Sequence, residues 1–264
     1  MKTTRFAGAL VALTLVGGLM VPGARAEVPD PLVPPEFAAP LVFTNLFFPF
    51  DEGAEKVFTG SDHGTKTGAN DFYLPHPYFP GLTTRTFKYK DALGKHHSVE
   101  THILVEEAYE DEELVERSFN YFAQADDRTV YYFGEVVDNY ENGVIVNHDG
   151  SWLVGGATPS DPPGIGNAPE PAVFMPANPE LGDVFKPEDL APIVDETAEV
   201  VGVDLNVLVP AGKYDGAIKI KEITSLGPDV GFKWYAPGVG VVKSQSKGET
   251  LKLSSSTLVQ EPDN

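Results

Sequence analysis

Residues 116–135 read Glu-Arg-Ser-Phe-Asn-Tyr-Phe-Ala-Gln-Ala-Asp-Asp-Arg-Thr-Val-Tyr-Tyr-Phe-Gly-Glu. Two aromatic-rich runs flank a short acidic turn, and Asp and Asn are good turn residues because their side chains bond the local backbone. The stretch therefore predicts two antiparallel strands. A shorter echo follows at 232–243, Phe-Lys-Trp-Tyr-Ala-Pro-Gly-Val-Gly-Val-Val-Lys. Each copy has paired aromatics, an Ala, a turn and a β-branched run.

Working outward, the same signals recur. Residues 84–91 alternate around Phe87 and Tyr89, and Ala92–Lys95 forms a turn. Residues 96–106 alternate as well, with Val99, Thr101, Ile103 and Val105 on one face and His96, Ser98, Glu100, His102, Leu104 and Glu106 mostly toward water. Asn142-Gly143 is a hairpin signal. In the second half, strands are expected at 193–201, 203–209, 214–224, 230–236, 239–246 and 250–258. No window carries a capped amphipathic helix. The 26 glycines and 23 prolines fall between apolar runs, as turn punctuation does. The expected fold is mainly β: a curved antiparallel sheet or open half-barrel of about 10–12 strands, with two similar halves and short helices at most.

Residues 1–26 predict a secretory signal peptide. Lys2 and Arg5 precede the apolar run 6–21, and Ala24-Arg25-Ala26 offers a cleavage site before Glu27. The run is shorter than the ~20 residues of a membrane span. Residues 27–71 read as a Pro-rich and apolar strap followed, from 51 to 71, by an exposed loop. The β domain is expected at 72–258, with halves 72–154 and 183–258 joined by a Pro/Gly-rich loop, 155–182, and a tail at 259–264.

The chain has no cysteine, which excludes disulfides, thiolate metal sites and cysteine nucleophiles. Its formal charge is −20. Without the three basic residues of the signal, 16 Lys and Arg remain against 39 Asp and Glu, a balance of −23. Phosphate binding needs clusters of Lys and Arg, so nucleic acid and anionic membrane are disfavoured partners.

Motifs spread over 72–258 carry a resemblance. His76-Pro-Tyr-Phe-Pro-Gly81, Asn120-Tyr-Phe-Ala-Gln124, Val130-Tyr-Tyr-Phe-Gly-Glu135, Ser151-Trp152, Phe174-Met-Pro-Ala-Asn-Pro179 and Trp234-Tyr-Ala-Pro-Gly-Val-Gly240 stand in this order. As a set the chain resembles a family of secreted bacterial proteins of unsettled function. The last motif is also similar to that of lipoprotein-carrier-like half-barrel domains. Phe87 departs from the family, which has Trp there. The resemblance implies a fold more than an activity.

Candidate chemistry is sparse. There is no Gly-x-Ser-x-Gly, no His-Glu-x-x-His and no phosphate loop, so no catalytic residue, metal ligand or cofactor is assigned. Glu100 and His102 stand about 6.6 Å apart on one strand face, and a metal there needs a third ligand from elsewhere. The turns Asp126-Asp127 and Asp138–Asn142 are oxygen-rich but lack the spacing of a calcium loop. The aromatics remain. Phe119 and Tyr121 share one strand face, Tyr131 and Phe133 another, and Trp234 and Tyr235 sit in the echo, with Trp234 expected to be the more buried of the two. They predict either core or the lining of a concavity. The expected function is a secreted or periplasmic, non-catalytic protein holding an apolar or lipid-like ligand. The alternatives are an acidic structural or adhesive protein and a calcium-dependent surface protein.

Overall fold

The computed structural model describes residues 34–227 and 230–260. The expected signal, the start at Glu27, the Pro-rich 27–33 segment and the last residues of the tail lie outside them. The described residues form sixteen strands and no helix.

In chain order the strands are β1 (Glu55–Asp62), β2 (Thr65–Tyr73), β3 (Thr84–Lys90), β4 (His96–Glu110), β5 (Glu113–Gln124), β6 (Val130–Glu141), β7 (Val144–Asn147) and β8 (Trp152–Val154). They continue as β9 (Gly166–Ala168), β10 (Ala172–Met175), β11 (Val184–Leu190), β12 (Val194–Val209), β13 (Gly212–Thr224), β14 (Val230–Ala236), β15 (Gly240–Gln245) and β16 (Glu249–Ser256). All belong to one sheet, ordered β11-β12-β13-β14-β15-β16-β1-β2-β4-β5-β6-β8-β9, with β3 on β4 and β7 and β10 on β6. Every pairing is antiparallel except the short β8–β9 contact. The sheet curls until β11 comes alongside β9, β10 and β6, leaving a nearly closed barrel. The strand that joins the first run of strands to the last is β1, which pairs β16 on one side and β2 on the other.

Much of this follows from local sequence. Asn142 and Gly143 both take positive φ, the conformation that a two-residue hairpin turn needs. The two strands expected at 193–201 and 203–209 are one strand, β12, made irregular around Gly202 and Asp204. The aromatic stretch is the β5–β6 hairpin and its echo is β14–β15.

Residues 51–71 depart from the reading of their composition as exposed loop. They contribute the β1–β2 hairpin, which joins the two runs of strands. Its charged residues disguised it: Lys56 and Asp71 face inward and pair at 2.8 Å, with side chains only 3% and 6% exposed. The face of β4 expected to meet water is also covered at His102 and Leu104.

The apolar strap lies across one end of the barrel. Gln124 Oε1 accepts hydrogen bonds from the backbone N–H of Thr44 and Asn45 at 2.7 and 2.8 Å. Asn45 Nδ2 donates to the carbonyls of Arg128 and Pro176. On the opposite wall, Gly238 N–H donates to Leu46 O at 2.8 Å. The strap's aromatic rings fill that end, with Phe50 stacked on His102 at 4.1 Å and Phe48 against Phe122 and Phe174 at 4.7 and 5.0 Å.

Candidate functional site

Alternation along paired strands sorts side chains into those facing the barrel interior and those facing out. On β4 and β5, Glu106 opposes Ser118 and Leu104 opposes Asn120 across the inner face. On β13 and β14, Ile220 opposes Lys233 and Ile218 opposes Tyr235. On β12, Ala198 opposes Glu222, with Glu196 in the same phase.

A β-bulge completes the set. Tyr132 and Glu135 are three residues apart and would ordinarily face opposite ways. Opposite Tyr121, however, β6 carries an extra residue, and Gly134 there takes φ +110°. A Cβ at Gly134 would lie 2.1 Å from the Trp152 carbonyl, so only glycine lets β8 pack there. The bulge turns Tyr132 and Glu135 both inward.

Glu106, Glu135, Glu188, Glu196 and Glu222 thus interact across the lumen with one another and with Lys233. Lys233 Nζ lies 3.1 Å from Glu222. Asn120 Nδ2 donates to Glu106 at 2.9 Å and its Oδ1 accepts from the Tyr132 hydroxyl. Burial, reinforced by Asp71, pushes the Glu106 carboxyl up to about 7. Burial does the same to Glu188, also to about 7. Glu135 and Glu196 are driven well above the carboxylate range, first by burial and then by neighbouring glutamates. For Lys233 burial acts downward, but Glu222, Tyr235, Glu196 and Glu106 outweigh it and hold the ammonium charged.

Two of these groups reveal space. Glu106 keeps an exposed surface although it lies deep enough for burial to dominate its pKa. The Lys233 side chain is 32% exposed in the same surroundings. Both keep accessible surface on the inner side of the sheet. At the barrel's seam, Glu188 of β11 acts on Glu135 of β6, and burial first, then this neighbouring carboxyl, raises the Glu135 carboxyl well above its ordinary range. Trp152 lies beside them, 1% exposed. Its Nε1 is a buried donor without a hydrogen-bond partner.

The aromatic residues singled out from sequence divide between the two faces. Tyr235 faces inward and is 2% exposed. Phe119, Tyr121, Tyr131 and Phe133 face outward, beneath the segments that pack on the barrel wall. Phe87 meets Tyr121 and Phe133 at 5.3 and 5.4 Å, Phe37 meets Tyr131 at 5.6 Å, and Phe79 meets Phe119 at 6.3 Å. Trp234 also faces outward and is half-buried, so the expected order of burial between Trp234 and Tyr235 is reversed. The acidic turns use their oxygens internally: Asp126 accepts from Ala38 N–H, Asp127 from Thr129, and Asp138 pairs with His148. Glu100 accepts from Thr84 Oγ1 while His102, on the same strand face, contacts the Leu41 carbonyl, so the two side chains are engaged with different partners. A cleft of about 580 Å³ between 210–215 and 254–260 lies apart from the lumen, and its Lys213, Asp215 and Gln260 bond one another.

Sequence reasoning assigned Glu106 to the water-facing side and singled out none of the other four glutamates. A signal was present. Glu196 is in phase with Val194, Ala198 and Val200, and Glu222 with Ile218 and Ile220. An acid in the apolar phase of successive strands marks an interior polar layer.

No family model matches the chain, and no curated protein matches it. Among solved structures, one from Bacteroides fragilis, described as a candidate exported protein with a YmcC-like fold, aligns over 81% of this chain and 99% of its own, at 13% identity and a TM-score of 0.41. No helix of the described residues is long and apolar enough to cross a membrane.

Proposed function

We propose that this protein is a non-catalytic binding protein of the periplasm or cell exterior whose barrel lumen holds a small organic cation. The carrying observation is the charge balance of the lumen. Among the described residues, Asp71, Glu106, Glu135, Glu188, Glu196 and Glu222 face two cations, Lys56 and Lys233. The acids left uncompensated hold protons, as burial of unpaired carboxylates demands. A bound ammonium group would take the place of those protons. The unpartnered Trp152 Nε1 supports a ligand in the same layer, because a bound cation would draw Glu188 into the carboxylate form, which accepts from an N–H donor. The N-terminal stretch 1–26 supports export.

An apolar or lipid-like ligand, the reading suggested by the aromatic content alone, would have to displace the strap. Phe48 and Phe50 already occupy the apolar end of the barrel. Calorimetric titration with hexylamine, spermidine and hexanoate at pH 8 and pH 5.5 separates the readings. The amines should bind at pH 8 with proton release and bind more weakly at pH 5.5, where Glu106 and Glu188 are protonated. Hexanoate should not bind. Preference for hexanoate, or no response to either amine, would overturn the proposal.

A further inference from the structure

On the outside of the same barrel, four adjacent strands line up an unusual row. Lys219 of β13 opposes Trp234 of β14, Trp234 opposes Lys243 of β15, and Lys243 opposes Lys252 of β16. The row continues to Thr59 of β1, whose hydroxyl bonds Ser254. With strands ~4.8 Å apart, Lys219 to Lys252 spans roughly 14 Å. Two ammonium groups lie over the Trp234 ring, Lys219 Nζ at 4.8 Å and Lys243 Nζ at 4.1 Å, and Lys219 also lies 3.9 Å from the centre of Phe232.

The electrostatics of this row are uncompensated. The Lys219 ammonium is lowered by burial alone, with no acid to offset it. The Lys243 ammonium is lowered by burial and then by Lys252 and Lys219, all acting in the same direction. Lys243 and Lys252 stand directly opposite each other, an arrangement that costs stability in a sheet. Acids outnumber bases 39 to 19 in this chain, so a cluster of three lysines, two of which no carboxylate acts on, is not the background.

We infer that this row is a binding strip for an acidic polysaccharide lying across the strands, its sugar faces on Trp234 and its carboxylates on Lys219, Lys243 and Lys252. A flat ring flanked by cations suits a chain that carries both apolar sugar faces and regularly spaced negative groups. A linear chain follows the row without approaching the acidic remainder of the surface. An extended anionic membrane would meet that remainder and be repelled by it, and the row offers no protruding apolar wedge for insertion.

The test uses the full-length secreted protein and a K219Q/K243Q double variant, titrated with polygalacturonate oligosaccharide, neutral glucan oligosaccharide, vesicles containing phosphatidylglycerol, and single-stranded DNA. Polygalacturonate should bind and weaken with added salt, neutral glucan should not bind, and the double variant should lose at least tenfold in affinity. Its melting temperature should be unchanged or higher, because a like-charge contact has been removed, so a loss of binding cannot be a loss of fold. Trp234→Ala should weaken polygalacturonate binding severalfold. Absence of polygalacturonate binding, equal binding by the double variant, or tighter binding to vesicles or DNA would overturn the inference.

Discussion

Strand β14 serves two surfaces with opposite electrostatics. Lys233 and Tyr235 point into the lumen, while Phe232 and Trp234 point outward between lysines of β13 and β15. Inside, Lys233 meets Glu222 at 3.1 Å, Lys56 meets Asp71 at 2.8 Å, and carboxyls without a cation are pushed toward their protonated form. Outside, Lys219 and Lys243 stand together with no acid acting on them. The contrast follows from dielectric. An unpaired charge is expensive in the interior and must pair or neutralise. On a wetted wall the same repulsion is screened and cheap enough to keep.

The comparison breaks most visibly at the buried ion pair. Lys56→Met strands Asp71 without its cation and should cost about 3–5 kcal/mol in chemical denaturation. If the loss is below about 1 kcal/mol, the inner layer tolerates unpaired charge and the contrast fails. Next in size is a pair of truncations on one strand. Tyr235→Ala empties a buried inward site and should cost about 3 kcal/mol, while Trp234→Ala removes a half-covered outer ring and should cost about 1 kcal/mol. Equal melting shifts would place both side chains in one environment.

A third prediction concerns pH. The folded-state pKa values of Glu106 and Glu188 lie at about 7, above the ordinary 4.5. The folded protein therefore binds more protons than the unfolded chain between those values. Their contribution is fully present below about 4.5 and is lost as pH rises through about 7. Urea midpoints should fall from pH 5 to pH 8, and Glu188→Gln should flatten that fall. A midpoint that rises over this range would mean that the carboxyls are ionised and paired. The smallest effect belongs to the outer wall: Lys243→Gln should stabilise by a few tenths of a kcal/mol at low salt, and less at high salt.

The sequence made the pairing pattern legible where turn chemistry was explicit. Asn142-Gly143, the Asp126-Asp127-Arg128 turn and Pro237-Gly238 each mark a hairpin that the structure contains. It was silent at 51–71, because Lys56 and Asp71 look like surface residues until their partners are known. The inner layer was hidden for the same reason, and for a second one. The Gly134 bulge changes the phase of β6, so that strict alternation places Glu135 on the face opposite Tyr132. The outer row was out of reach altogether, since Lys219, Trp234, Lys243 and Lys252 are adjacent only through the register of four strands.

The β1–β16 ladder has a consequence for how the chain folds. It joins Lys56 to Ser256 and Asp62 to Glu249, partners nearly the whole described length apart. Such contacts must close a very long loop before they contribute anything, and they slow folding accordingly. The β4–β5–β6 meander can assemble from neighbours, and so can β12 through β16. Their union through β1 waits for the final strand to arrive. Until then Phe58 and Leu253, both buried in the finished barrel, have no cover, so the half-assembled chain is the form most exposed to aggregation.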